Sequence, residues 1–202
     1  SDHLLLIGGS AGWMMPPNWL SRFERIDAYD IDPLAPGLFN WRHGPLLKAQ
    51  GIDVHHHRQD ALASLPDLLQ QHPKACIWFD NVLGQVRFQH PANDWQAVEK
   101  KLQQLKVQLA GREWGSVHDR MSGPTLPEVT LPWSRPGLAG VAMETAEGQA
   151  WLRHMGAISP WLDHLTEHVL PKDTPVQHTA WPFKPGYAHW LEMGWCPAVQ
   201  PL

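Results

Sequence analysis

Residues 3–12 read His-Leu-Leu-Leu-Ile-Gly-Gly-Ser-Ala-Gly, an apolar run that ends in a glycine-rich turn. The run His3–Ile7 predicts a buried strand, and the glycines let the backbone turn sharply and approach a ligand closely. In an open α/β sheet, the turn after the first strand is where nucleotides bind. The same short stretch therefore indicates both the fold class and a candidate site.

Four further segments have the pattern of short buried strands. They are Arg25–Asp30, Ile52–His56, Ala75–Asp80 and Trp114–His118. Apolar residues spaced three or four apart predict a helix over Asn93–Ala110, with Asn93 as its N-cap. A similar spacing predicts a second helix that starts at the N-cap Ser159 and ends before Pro171.

The end of the chain has two apolar stretches around a Lys184-Pro185-Gly186 turn, which predicts a closing hairpin over Trp181–Glu192. Strands that alternate with helices and then end in a hairpin predict a doubly wound α/β fold. We expect a mostly parallel, seven-stranded sheet with an antiparallel C-terminal hairpin.

The length of 202 residues fits a single domain. Within it we expect a core at 3–120, a loop and helical insertion at 121–175, and the closing hairpin at 176–202. The prolines between Pro124 and Gly137 exclude a helix or a central strand there and predict a long surface loop. Long loops in compact domains are often functional.

The charge and the cysteines exclude several classes of protein. The formal net charge is −4 and neither half of the sequence is basic, so nothing predicts nucleic-acid binding, which uses a face rich in lysine and arginine. Cys76 and Cys196 are too few for a disulfide framework and have no metal-ligand spacing. No apolar run approaches the roughly 20 residues of a membrane span, and the N-terminus does not have a signal-peptide pattern. We expect a cytoplasmic protein without nucleic-acid or membrane partners, and the oligomeric state stays open.

Three carboxylates follow successive strands. Asp30 ends the second predicted strand, Asp60 follows the third and Asp80 ends the fourth. Because the carboxyl ends of parallel strands meet at one edge of a sheet, we expect the three to gather beside the glycine turn. A carboxylate in the position of Asp30 can accept hydrogen bonds from both hydroxyls of a ribose.

In these motifs the chain resembles the class I S-adenosylmethionine-dependent methyltransferases. The similar segments are Leu4–Gly12, Ala28–Pro33, Gln59–Ala61 with Leu65-Pro66, and Phe79–Gly84. The resemblance implies that S-adenosylmethionine is the cofactor and that the glycine turn surrounds its methionine portion. It places Asp30 with Ile31 at the ribose, Gln59-Asp60-Ala61 at the adenine, and Asp80-Asn81 at the methyl-transfer face. The turn consists of Gly8, Gly9, Ser10, Ala11 and Gly12.

The resemblance implies a methyltransferase. The sequence does not identify its acceptor, which we expect to be a small molecule because the charge does not favour nucleic acid. The Pro124–Gly137 loop, with Trp133, would cover that acceptor. If the acceptor must lose a proton, His118 and Asp119 at the end of the fifth strand are the candidate catalytic pair. The sequence departs from the family at Leu6, where an acid is usual, at Ser10 and at Pro16-Pro17. These departures leave open a second hypothesis, a methyltransferase-like interaction module without catalysis.

Three other classes of enzyme match shorter patterns. Gly8–Gly12 fits the Gly-x-Ser-x-Gly turn of serine hydrolases, although that turn follows a later strand of its sheet. His164–His168 fits the His-x-x-Glu-His pattern of zinc peptidases, which requires a helix. A glycine turn followed by an acidic residue, here Asp30, is also typical of NAD-dependent oxidoreductases. Adjacent side chains on a strand face opposite ways, so His55-His56-His57 does not predict a metal site, and we expect none elsewhere.

Overall fold

A computed structural model describes residues 1–91, 94–127 and 133–198. The chain packs as two compact units. Unit 1 consists of residues 1–82, 111–114 and 197–202, and unit 2 of residues 83–110 and 115–196. The single-domain assignment stays a prediction.

Unit 1 contains a parallel sheet. Its strands are β1 (His3–Ile7), β2 (Arg25–Asp30), β3 (Asp53–Arg58) and β4 (Cys76–Asp80). β1 pairs with β2 on one side and β4 on the other, and β3 pairs with β2. β1 is therefore an inner strand, which explains why Leu4, Leu5 and Leu6 are completely buried.

Three helices connect these strands: α1 (Pro17–Leu20), α2 (Ala35–Ala49) and α3 (Leu65–Gln71). The first is a single turn that begins at Pro17, as the proline pair in the sequence indicates. The connection after the glycine turn is thus irregular from Ala11 to Pro16. α2 packs Phe39, His43 and Leu47 inward.

Unit 2 is mainly antiparallel. After a 3₁₀ helix (Leu83–Gln89) and helix α4 (Trp95–Gln108), strand β5 (Trp114–Pro124) leaves unit 1 and enters unit 2. Its other elements are β6 (Trp133–Leu138), α5 (Ala146–His154), β7 (Leu162–Asp163), β8 (Pro175–Lys184) and β9 (Tyr187–Cys196). β8 pairs antiparallel with both β6 and β9, and β7 pairs antiparallel with β5. Met121, Met155, Trp161 and Trp190 contribute to its buried core.

The mixed α/β class, the parallel first strands and the antiparallel C-terminal hairpin are confirmed. The expected count of seven strands is wrong, because the described residues form nine. Two of the added strands, β6 and β7, lie in segments that were predicted as a loop and a helix. Pro136 lies in β6, which pairs with β8 and ends the strand order, so its missing N–H is tolerated at the sheet edge.

The predicted helix after Ser159 is also wrong. This segment contains β7 and then a loop in which Leu165 has the left-handed φ of 60°. Buried side-chain hydrogen bonds hold the loop, because Thr166 Oγ1 donates to the carbonyl of Asp119 at 2.6 Å. The helix over 93–110 is confirmed as α4, but Asp94 is its N-cap, and Asn93 lies outside the described residues.

Candidate functional site

The glycine turn after β1 has a backbone that requires glycine. Gly8 has a φ of 73°, and a Cβ at this position would lie 3.0 Å from Val82 Cβ. Gly12 has a φ of 67°, and a Cβ there would lie 2.6 Å from His43 Nε2. Ser10 also has a left-handed φ, of 41°. The turn is therefore tightly fitted against the ends of neighbouring elements, and Ser10 is its exposed residue.

Asp30 at the end of β2 is bound to this turn. Its Oδ2 accepts a hydrogen bond from the Ser10 backbone N–H at 2.9 Å, and its Oδ1 accepts one from the Asp32 N–H at 2.9 Å. Each carboxylate oxygen has two acceptor sites, so each retains one. These two hydrogen bonds hold the carboxylate in place and leave each oxygen able to accept a hydrogen bond from a hydroxyl group. Ile31 beside it is 68% exposed and offers an apolar surface.

Asp80 at the end of β4 is a buried carboxyl group in the same unit. Its side chain is 7% exposed, and Oδ1 has no hydrogen-bond partner within the described part of the chain. Burial, together with the negative charge of Asp30, raises the pKa of Asp80 to about 7. Asn81 follows with a left-handed φ of 56°. A buried carboxyl oxygen without a partner is a good acceptor for a cationic or hydrogen-bonding ligand.

The turn after β3 is stabilised by its own side chains. Asp60 Oδ1 accepts hydrogen bonds from the N–H groups of Leu62 and Ala63 at 3.0 and 3.1 Å. Gln59 Nε2 donates to Ser64 Oγ at 2.6 Å, and Ala61 is buried. Asp60 therefore acts as a turn residue here, and its contact with an adenine stays a prediction.

Leu6, where an acid is usual in the resembling family, is fully buried beneath the turn. A Cβ added to Gly9 would lie 2.7 Å from Leu6 Cδ2, so the leucine fills the space under the turn. The residues nonetheless fit S-adenosylmethionine in two respects. The ribose can hydrogen bond to Asp30, and the unpartnered oxygen of Asp80 suits a cationic ligand.

The predicted catalytic pair His118 and Asp119 lies on β5 in unit 2. His118 has no exposed surface: its Nδ1 lies 3.1 Å from Ser116 Oγ and its Nε2 lies 3.5 Å from Glu192 Oε1. Asp119 Oδ1 accepts a hydrogen bond from His189 Nδ1 at 2.7 Å. The structure thus brings the imidazole of His189 to Asp119, a pairing that no motif in the sequence indicates.

Glu192 is the centre of a buried charged cluster on the same strands. Arg120 Nη1 donates to its Oε2 at 3.0 Å, and Arg120 Nη2 donates to the carbonyl of Val141 at 2.6 Å. Burial alone would raise the pKa of Glu192, but His118 and Arg120 reverse that effect and hold it below its usual range. His118 belongs to this cluster, which does not reach solvent.

The shorter enzyme patterns have different outcomes. His164–His168 is not helical, and His168 is 82% exposed while His164 is 2% exposed, so the zinc-peptidase geometry is absent from this described segment. The three histidines of β3 contact three different partners: His55 contacts Asp53, His56 contacts Asn40 and His57 contacts Asp27. Ser10 follows the first strand of the chain, as expected from the sequence.

Neither a known protein family nor a curated protein matches the amino-acid sequence. Among solved structures, the chain is similar to an S-adenosylmethionine-dependent methyltransferase from Clostridium acetobutylicum, with 8% identity and a TM-score of 0.38 over 98% of this chain and 68% of that one. It is also similar to the glycopeptide N-methyltransferase MtfA complexed with S-adenosyl-L-methionine, with 10% identity and a TM-score of 0.41 over 96% and 87%.

A third similar structure is an rRNA methylase from Streptococcus thermophilus, with 13% identity and a TM-score of 0.35 over 98% of this chain and 88% of that one. These structures are methyltransferases, the family that the sequence motifs resemble. Within the described ranges, no helix combines the length and the apolar character needed to span a membrane.

Proposed function

We propose that the chain is an S-adenosylmethionine-dependent methyltransferase and that unit 1 binds the cofactor. The observation that carries this proposal is the position of Asp30. Its carboxylate accepts hydrogen bonds from the backbone N–H groups of Ser10 in the glycine turn and of Asp32, and both oxygens retain an acceptor site. The buried, unpartnered oxygen of Asp80 in the same unit supports it.

Each residue would have a distinct role. Gly8–Gly12 would hold the methionine portion through the backbone, Asp30 would accept the ribose hydroxyls, and Asp80 would lie near the sulfonium. S-adenosylmethionine supplies an activated methyl group that moves in a single displacement. The protein therefore has to position the two substrates and exclude water, and an obligatory catalytic side chain is not needed.

We propose a small molecule as the acceptor, supported by the net charge of −4 and the lack of a basic stretch in the sequence. The Pro124–Gly137 loop stays part of this proposal, although 128–132 lie outside the described residues and Trp133–Gly137 belong to β6. His118 and Asp119 stay predicted catalytic residues. The complete burial of His118 argues against direct contact between its imidazole and an acceptor.

One observation favours a second candidate function, an interaction module without catalysis. Helix α1 has four residues and begins six residues after Ala11. A long helix at this point would direct its first N–H groups toward a ligand, and a single turn has almost no dipole to contribute. Cofactor affinity decides between the two candidates.

The test is a calorimetric titration of the purified chain with S-adenosylhomocysteine, the product form of the cofactor. A functional enzyme should bind it at micromolar concentrations, which corresponds to about 8 kcal/mol. Asp30→Ala should weaken binding at least about tenfold, because a hydrogen bond to a charged group contributes about 1.5–3 kcal/mol. Asp53→Ala is the matched control, since Asp53 lies at the opposite end of the neighbouring strand.

Asp30→Asn is a second variant that keeps one acceptor oxygen and is therefore less disruptive to the fold. Circular dichroism of both variants and of the wild type shows whether the fold is retained. Equal affinities for wild type and Asp30→Ala would disprove the ribose assignment. No binding by the wild type would favour the interaction module. Binding of NAD in a parallel titration, without binding of S-adenosylhomocysteine, would replace the proposal with an oxidoreductase.

A further inference from the structure

Three side chains in unit 2 converge from different elements. Asp119 lies on β5, His164 directly follows β7 and His189 lies on β9. One potential ligand atom from each lies within 4.8 Å of the other two. Asp119 and His164 are 3% and 2% exposed, and the side chain of His189 is 16% exposed. The group is therefore buried on two sides and accessible at His189.

Hydrogen bonds prepare His164 to act as a ligand. Its Nδ1 lies 2.9 Å from the carbonyl oxygen of Gly84, which accepts hydrogen bonds, so Nδ1 carries the proton. Nε2 therefore presents its lone pair, which accepts a hydrogen bond from Ser122 Oγ at 3.0 Å and which a metal ion would take in place of that hydrogen bond. A carbonyl that fixes the second nitrogen is the usual outer support of a metal-binding histidine.

The other two members are also held in place. His189 Nδ1 and Asp119 Oδ1 are 2.7 Å apart, and the backbone carbonyl of Asp119 accepts a hydrogen bond from Thr166 Oγ1. Trp181, Phe183 and Tyr187 surround the His189 ring, with centroid distances of 5.6, 5.3 and 5.8 Å. These aromatic rings restrict the imidazole and limit the access of water.

We propose that Asp119, His164 and His189 form a binding site for a divalent transition-metal ion, of which Zn²⁺ is the best match. Two imidazole nitrogens and one carboxylate suit zinc, whereas Mg²⁺ and Ca²⁺ prefer oxygen ligands throughout. Three protein ligands leave a fourth position open for water or a substrate. Such a site is of the catalytic type, since structural zinc sites use four protein ligands.

A second group in unit 1 shows what distinguishes this site. His3, Asp27 and His72 also have ligand atoms within 4.8 Å of one another. There, however, the Arg25 guanidinium donates to both oxygens of Asp27, at 2.8 and 3.2 Å. A permanent positive charge on the carboxylate opposes a metal ion. The carboxylate of Asp119 instead lies 2.7 Å from the imidazole of His189, which is another member of the same group.

The test is a titration of chelator-treated protein with Zn²⁺ by calorimetry and with Co²⁺ by visible absorption. We expect one high-affinity equivalent in the wild type. His189→Ala and Asp119→Asn should weaken it at least about 100-fold, because even outer-shell changes at metal sites cost 10–100-fold. The matched controls are His168→Ala, an exposed histidine on the same loop, and His72→Ala in the group of unit 1. Both should retain the wild-type affinity.

His189 is the most exposed of the three, so His189→Ala is the variant whose fold is safest, and circular dichroism checks it. The proposal is overturned if the wild type binds no zinc, if His189→Ala and Asp119→Asn bind as the wild type does, or if His168→Ala loses as much as they do. Because the titration contains no S-adenosylmethionine, its result does not depend on whether the proposed methyltransferase activity exists.

Discussion

Asp27 and Asp80 are both buried carboxyl groups on strands of unit 1, and their surroundings shift their pKa values in opposite directions. Burial alone would raise the pKa of Asp27, but hydrogen bonds from Arg25, His57 and His3 outweigh burial and hold it far below its usual range. Asp80 has burial and the charge of Asp30 without such donors, so its pKa rises to about 7. Asp80 therefore changes charge near neutral pH, where Asp27 stays ionised.

This difference predicts that affinity for S-adenosylmethionine depends on pH. Asp80 is mostly protonated below about pH 7 and ionised above it, and the ionised form attracts the sulfonium. Affinity should therefore rise up to about tenfold between pH 6 and pH 8 if the ionised form alone binds. Titrations at four pH values measure the effect.

Asp80→Asn should remove this pH dependence, and Asp53→Asn, on the exposed start of β3, should retain it. S-adenosylhomocysteine, which has no sulfonium charge, should show a smaller change with pH than S-adenosylmethionine does. An unchanged profile in Asp80→Asn would mean that another group titrates.

At the level of elements, the strands were predictable where the apolar run was continuous. β1 and β2 have the predicted bounds, and the hairpin has its turn at 185–186. These elements could be predicted because a continuous apolar run, or an alternation of apolar and polar residues, is visible in the local sequence. The segment after Ser159 has a helical spacing, yet it folds as a short strand and loop. Its polar side chains His164 and Thr166 are buried and hydrogen bonded to distant residues, which no local pattern reveals.

In the candidate site, too, the positions that follow from a local motif could be predicted, and those that depend on distant residues could not. The position of Asp30 beside the glycine turn was predictable because it ends a strand soon after that turn, and its contact with a ribose stays a prediction. The pairing of Asp119 with His189 was not, since the two residues are 70 positions apart and belong to no shared motif. His118 was predicted as the partner of Asp119 because the two are adjacent in sequence, but its imidazole lies in the buried cluster of Glu192. Only tertiary packing distinguishes these two histidines.

The N-cap of α4 allows a prediction at this scale. Asp94 Oδ1 accepts a hydrogen bond from the Ala97 N–H at 3.1 Å, which satisfies one of the free donors in the first turn. Asp94→Ala should cost about 0.5–2 kcal/mol of helix stability. Faster amide hydrogen exchange in the first two turns of α4 would measure the loss. Glu99→Ala, an exposed change within the same helix, should leave exchange nearly unchanged, and equal effects of both variants would argue against capping.

At the level of the whole molecule, each unit contains a buried histidine that forms a hydrogen bond inside that unit. In unit 1, His43 Nε2 donates to the carbonyl of Gly12 at 3.1 Å, and in unit 2, His178 Nδ1 accepts from Trp190 Nε1 at 3.1 Å. The two side chains are 1% and 0% exposed. Burial lowers the pKa of both below the ordinary value of 6.5. Both units therefore hold a neutral imidazole that the unfolded chain would protonate.

These histidines predict that the protein loses stability as the pH falls below about 6.5. Below the unfolded pKa, the unfolded state binds protons that the folded state does not bind, so the free energy of unfolding decreases until the lowered folded pKa is reached. Asp80 acts in the opposite sense between its ordinary pKa of 3.8 and about 7, because its folded form binds the proton more tightly. Burial also lowers the pKa of His56, His72 and His164. Five histidines therefore oppose one carboxyl group, so the melting temperature should fall between pH 7 and pH 5. His178→Gln and His43→Gln should each make this decrease shallower, whereas Asp80→Asn should make it steeper.

Thermal melts of the wild type and the three variants measure these effects. The melts are recorded in the presence of a chelator, so that bound metal does not contribute to stability. A melting temperature that rises or stays constant from pH 7 to pH 5 in the wild type would show that the histidines do not control the acid stability of the fold.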